Sequence, residues 1–170
     1  NSYIKSEQRN RMEPFFPLHV YVCEKCFLVQ LEQFSSPDDI FSDYAYFSSF
    51  SDSWLAHAKA YVDMIADRFH LNEKSKVVEI ASNDGYLLKN FVARIPVLGV
   101  EPAANVAEVA KKNGINTKVA FFGEKTALGL TNDAWSADLI IGNNVLAHVP
   151  DLNDFVKGLK ILLKPTGLIT

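Results

Sequence analysis

Residues 76–88 read KVVEIASNDGYLL, and this stretch decides the fold. A β-branched run (Val77, Val78, Ile80) carries Glu79 and breaks into Ala81-Ser82-Asn83-Asp84-Gly85. Leu87, Leu88, Phe91, Val92 and Ile95 follow at helical spacing, so strand 76–81 passes through a tight turn into helix 86–95. In an α/β fold such a junction brings backbone close to a nucleotide-like ligand. The turn has a single glycine and therefore lacks the G-x-G-x-x-G pattern of dinucleotide binders, which argues against a pyrophosphate cradle. An acidic strand with a small-residue turn suits S-adenosylmethionine, whose ribose hydroxyls and ammonium need acceptors rather than a phosphate nest.

Outward from this junction the pattern alternates. Strands are expected at 97–101, 117–121, 138–143 and 167–170, with helices at 103–113, 123–130 and 152–163. Gly114 stands where a helix C-cap glycine belongs. Alternation of this kind implies a parallel, doubly wound sheet with right-handed crossovers. Upstream, Trp54, Leu55, Ala58, Tyr61, Val62, Ile65, Ala66 and Phe69 form a helical stripe that Ser51 or Asp52 can cap. Two short strand-like runs, 18–22 and 27–31, flank Cys23-Glu-Lys-Cys26 in the manner of a zinc ribbon. Residues 35–39 (Ser-Ser-Pro-Asp-Asp) read as a turn, and 41–53 as an aromatic, serine-rich linker. The division expected is a partial zinc-binding module at 1–40, a linker and connecting helix at 41–72, and a cofactor-binding core at 73–170 that stops in its fifth strand.

Bulk properties exclude several classes. A net charge of −3 gives no electrostatic case for nucleic acid. No apolar run approaches the roughly 18 residues that cross a bilayer. Two cysteines do not make a secreted disulfide framework, so a cytoplasmic location is the default.

The candidate cofactor residues are Glu79, the turn Ala81, Ser82, Asn83, Asp84 and Gly85, then Glu101 with Pro102, Phe122, Asn143 and Asn144. Glu101 closes its strand about 22 residues beyond Glu79, where a carboxylate accepts ribose hydroxyls in doubly wound sheets. Glu79 is expected to orient the turn and balance the ligand's amino group. Phe121 or Phe122 is expected beside adenine. The alternatives are ordinary: a solvated strand-end acid and a loop-capping Asn-Asn pair.

VVEIASNDGYLL, GVEPAANVAEVA and DLIIGNNVLAHVPDLNDFV together resemble the cofactor-binding core of the sugar C-methyltransferases, class I enzymes of nucleotide-linked deoxysugars. PLHVYVCEKCFLVQL and YAYFSSFSDSWLAHA resemble that family's zinc module and its joining segment. The resemblance implies methyl transfer from S-adenosylmethionine to C3 of a nucleotide-linked 4-keto sugar through an enolate. It also implies a structural zinc held by two C-x-x-C pairs, of which only Cys23 and Cys26 are present. Completing four ligands would need His19, water or a partner chain. The family's histidine- and tyrosine-rich catalytic motif is missing, so negligible turnover is expected of these 170 residues alone. Within them the catalytic candidates are Tyr46, from the linker, and His148, after the fourth core strand; Tyr44 is a further tyrosine of the linker. A brace for the loop is the alternative for His148, and packing between modules the alternative for Tyr46. Other functions remaining open are O- or N-methylation of a small molecule and a non-catalytic binding module, with a nicotinamide-dependent oxidoreductase last.

Overall fold

The computed structural model describes residues 4–170. Strands β1 (Val20–Val22) and β2 (Val29–Leu31) pair antiparallel around the cysteine knuckle, with every residue exposed. Helices α1 (Pro37–Phe41) and α2 (Asp52–Arg68) lead into the main sheet. That sheet comprises β3 (Val77–Ile80), β4 (Val97–Glu101), β5 (Thr117–Val119), β6 (Ala137–Ile141) and β7 (Leu163–Ile169). Helices α3 (Ala104–Lys112), α4 (Glu124–Asn132) and α5 (Leu152–Leu162) cross between its later strands.

The sheet order is β5-β4-β3-β6-β7, and every pairing is parallel, as the alternation predicts. The chain winds outward from β3 through β4 to β5, then returns to lay β6 on the other side of β3. This is the switch point at which doubly wound sheets open a crevice beyond their strand ends. Side chains alternate along each strand, so two cores form. Val77, Leu139 and Ile141 meet α2 and the 86–95 segment on one face. Val78, Ile80, Val100 and Ile140 meet α4 and α5 on the other. Parallel strands covered on both faces read as nearly continuous apolar runs, which is why VVEI and DLII were legible.

Three local expectations are corrected. The helix expected at 86–95 is a series of tight turns around one 3-10 turn, Leu88–Asn90. There the Asn90 side chain donates to the carbonyls of Leu87 (3.1 Å) and Tyr86 (3.4 Å), competing with the regular backbone ladder. The turn expected at 35–39 instead starts α1. Ser36 caps the Asp39 amide at 3.1 Å, and Pro37 supplies a preset φ at the first helical position. The last strand begins at Leu163 rather than 167, with a bulge: Ala137 pairs with Leu163, but Leu139 pairs with Leu168. Pro165 cannot donate to a ladder, and Gly167 passes so near the Ala137 carbonyl that a Cβ there would lie 2.8 Å away. Elsewhere expectation and structure agree closely: Ser51 caps α2, and Gly114 follows α3 at φ +80°.

Candidate cofactor site

A cleft of about 820 Å³ opens over the carboxyl ends of β3, β4, β5 and β6. Its floor is the turn after β3, in which Ala81 (φ 55°), Asn83 (φ 51°) and Gly85 (φ 78°) alternate into the left-handed region. Alternation of this type makes a concave nest of amides that attracts an anion. Here the anion is internal: Glu101 Oε2 accepts the Asn83 amide at 2.9 Å, and its Oε1 accepts the Ala103 amide at 2.8 Å. The Asn83 amide is thus taken by the strand-end carboxylate, while those of Ser82 and Gly85 go to the carbonyls of Val100 and Ser82. Glu101 still lines the cleft, and each oxygen keeps a lone pair for a ligand hydroxyl. Burial raises its carboxyl above the ordinary value, against the lowering pull of those two amides.

The sequence-derived residues divide by position. Ala81, Asn83, Glu101, Pro102, Phe122, Asn143 and Asn144 line the cleft, and so do Tyr46 and His148. Phe122 meets Phe155 edge-on at 5.2 Å between ring centres, giving an apolar wall below β5. His148 is exposed at the mouth, its ring 6.1 Å from that of Phe41.

Four cofactor candidates stand behind the cleft wall instead. Glu79 follows Val77 onto the α2 face of the sheet, is 1 % exposed, and its Oε2 has no hydrogen-bond partner among the described residues. Burial, then the charges of Glu101 and Asp84, hold its carboxyl well above the ordinary value. Ser82 is fully buried against Gly99, where a Cβ would collide with its hydroxyl. Asp84 turns toward the linker and accepts the Ser49 amide (3.1 Å) and the Ser49 hydroxyl. Gly85 is required by packing: a Cβ would lie 2.8 Å from Ile115 Cγ1.

Trp54 and Tyr86 are among the cleft residues that escaped the sequence reading. Trp54 counted as part of a helical stripe, and Tyr86 as the start of a helix. In the fold their rings stack at 5.9 Å on the cleft wall, and the Tyr86 hydroxyl lies 3.5 Å from Asn143 Nδ2. Burial and the charge of Glu79 push the Tyr86 hydroxyl up to about 12, so it stays protonated at neutral pH. Its position directly after Gly85 was the only available signal.

Among the described residues no lysine or arginine lines the cleft, whereas Asp38, Glu101, Asp151 and Asp154 do. Acids and aromatic faces without a competing cation favour a positively charged ligand.

The cysteine knuckle is a separate feature. Cys23 and Leu28 close it through a 2.9 Å backbone bond, with Phe27 at φ 60°. Hydrogen bonds from the backbone of Cys26 and Lys25, and from the Cys26 thiol, lower the Cys23 thiol's pKa and favour a thiolate. Two thiols are half of a tetrahedral zinc set. Among the described residues no group of three His, Cys, Asp or Glu converges; His19, the possible third ligand, lies against Tyr21 instead. Among the described residues the knuckle thus supplies two of the four ligands of such a set.

Residues 78–169 match a family model described as "Methyltransferase domain". The chain belongs to this methyltransferase family. Residues 1–41 match a second model, described as "Putative zinc binding domain". The chain is 36 % identical over 157 residues to the C-methyltransferase NovU of Streptomyces niveus, covering 92 % of this chain and 37 % of NovU. It is 32 % identical over 97 residues to a ubiquinone biosynthesis O-methyltransferase of Bartonella tribocorum, covering 55 % of this chain and 39 % of that one. The chain thus spans less than two fifths of the length of these curated relatives. Among solved structures it superposes on the plantazolicin methyltransferase BpumL, crystallised with SAH, at a TM-score of 0.53 and 13 % identity over 68 % of this chain and 44 % of BpumL. Streptomyces venezuelae DesVI gives 0.51 at 14 % identity over 68 % of this chain and 48 % of DesVI. The fold is that of the class I, S-adenosylmethionine-dependent methyltransferases. No described helix is long and apolar enough to cross a membrane.

Proposed function

We propose that this chain is the cofactor-binding part of a C-methyltransferase that methylates C3 of a nucleotide-linked 4-keto-deoxysugar. One observation carries the cofactor assignment: a cleft of about 820 Å³ in which a strand-end carboxylate, Glu101, keeps free acceptor capacity among aromatic and acidic side chains. When bound, S-adenosylmethionine supplies an electrophilic methyl group on a cationic sulfur. Glu101 accepts the ribose hydroxyls, and Phe122 with Phe155 covers the adenine. Trp54 and Tyr86, stacked on each other, form the apolar wall beside the cation, and the acids of the rim add a favourable field. Glu79 lies one layer deeper, buried behind the turn and out of contact with the cleft.

The carbon acceptor rests on the similarity to NovU. Carbon methylation requires removal of a proton next to a ketone. In this reading Tyr46 and His148, both lining the cleft, orient such an acceptor and pass a proton. The principal base is assigned, by the family resemblance, to a motif outside these residues. A zinc site would likewise need ligands beyond Cys23 and Cys26.

Similarity to the ubiquinone O-methyltransferase favours a second reading, methylation of a hydroxyl on a small acceptor. Calorimetric titration with S-adenosylmethionine and SAH tests the cofactor site; a folded sample that binds neither at millimolar concentration refutes it. Assays of the protein containing this chain, with nucleotide-linked keto-sugars against hydroxyl acceptors, separate the two reactions.

A further inference from the structure

The linker between α1 and α2 is held across the cleft by side-chain amides from the core. Asn105, at the second position of α3, accepts the Tyr44 amide through Oδ1 at 3.2 Å and donates Nδ2 to the Tyr44 carbonyl at 2.9 Å. Asn83 repeats the device: Oδ1 accepts the Ser48 amide at 2.8 Å, and Nδ2 donates to the Tyr46 carbonyl at 3.1 Å. Each asparagine thereby offers a donor and an acceptor together, as a partner strand would. Bracketed by these clamps, the strap 41–50 sets the rings of Phe41, Tyr44 and Tyr46 on the cleft.

Both clamps lead back to one carboxylate. Glu101 takes the main-chain amide of Asn83 and that of Ala103, two residues before Asn105. A ligand engaging Glu101 therefore bears on the two backbone segments from which the strap hangs. We propose that Asn105 is a positioning residue that ties closure of this strap to occupancy of the cofactor cleft, so that the strap gates cofactor exchange. The coupling rests on the cofactor reading given above; the clamp itself does not.

Hydrogen exchange and SAH dissociation, the latter followed by tryptophan fluorescence with Trp54 in the cleft wall, test this in Asn105→Ala and Asn105→Asp. In the wild-type chain SAH slows exchange of the Tyr44 and Ser48 amides. Asn105→Ala speeds exchange at Tyr44 about tenfold or more, as expected for a lost reciprocal pair of bonds, and speeds SAH dissociation by about the same factor. Amides of β3 and β4 stay protected. Asn105→Asp keeps the acceptor for the Tyr44 amide but loses the donor to its carbonyl, so exchange there speeds less than in Asn105→Ala, which separates the clamp from any damage to α3. If Asn105→Ala leaves both Tyr44 exchange and SAH dissociation within about twofold of wild type, the proposal is overturned. If wild type binds no SAH, the cofactor reading fails first and the gate falls with it. Faster Tyr44 exchange without faster dissociation also overturns the gate.

Discussion

Replacing Glu101 by glutamine should damage cofactor binding and folding by separate routes whose sizes follow from the contacts. The carboxylate takes two backbone amides, from Asn83 at 2.9 Å and Ala103 at 2.8 Å. A glutamine keeps the shape but has one oxygen, so its NH₂ must face one of those N–H donors. Leaving one buried amide without an acceptor costs about 1–3 kcal/mol of stability. The loss is present with or without ligand and lowers the urea midpoint without changing the slope. Binding suffers additionally, because a charged acceptor for ribose is removed; such a bond contributes about 1.5–3 kcal/mol. At about 1.4 kcal/mol per decade, SAH affinity should fall roughly tenfold to a hundredfold. Calorimetry with SAH, at a temperature where Glu101→Gln is fully folded, measures the second effect alone. An affinity within about twofold of wild type would refute the placement of ribose at Glu101 and, with it, the cofactor site.

Glu79→Gln tests the buried acid behind the turn. Burial and neighbouring acids raise the folded-state pKa of Glu79 above its unfolded value. The folded state then holds a proton that the unfolded state has lost, so this group's contribution is fully present below the ordinary glutamate range of about 4.5 and disappears as pH rises through the folded pKa. The stability gap between Glu79→Gln and wild type should widen from acid to neutral pH without ligand; a gap independent of pH sinks the reasoning. Gly85→Ala combines a left-handed backbone (φ 78°) with a Cβ 2.8 Å from Ile115. The two penalties together predict a loss of about 2–5 kcal/mol in urea unfolding, and a loss below about 1 kcal/mol would show that the turn relaxes. For the knuckle, a chelator should leave the thermal midpoint of the chain unchanged, because Cys23 and Cys26 gather no third ligand among the described residues. A clear fall in the midpoint on chelation would reveal a metal site completed by other means.

The parts legible in sequence are those with a local period. Strands β3, β4 and β6 announced themselves by apolar runs, and α2 by a 3.6-residue stripe. Their alternation then limits the sheet to parallel, doubly wound order. Glu101 was legible for the same reason, since strand ends in such sheets have a known place over the cleft. Where side chains competed locally with backbone, periodicity misled: Asn90 broke the helix expected after Gly85, and the Pro165–Gly167 bulge moved the start of β7.

Contacts between distant residues were decided only by the folded chain. Asn83 reaches the linker across 35 and 37 positions, and Asn105 across 61. No short-range pattern encodes those bonds, because a polar side chain in a turn looks the same whether it meets solvent or a passing backbone. Glu79 and Glu101 likewise resemble each other as strand acids. The pleat turns Glu79 toward α2 and burial isolates it, while two backbone amides hold Glu101 against the floor of the cleft. Sequence determined the order of strands and helices through the repeat of apolar side chains. Tertiary packing alone determined which acid faces the cleft and which aromatic rings roof it, because solvation and hydrogen-bond partners exist only once remote segments meet.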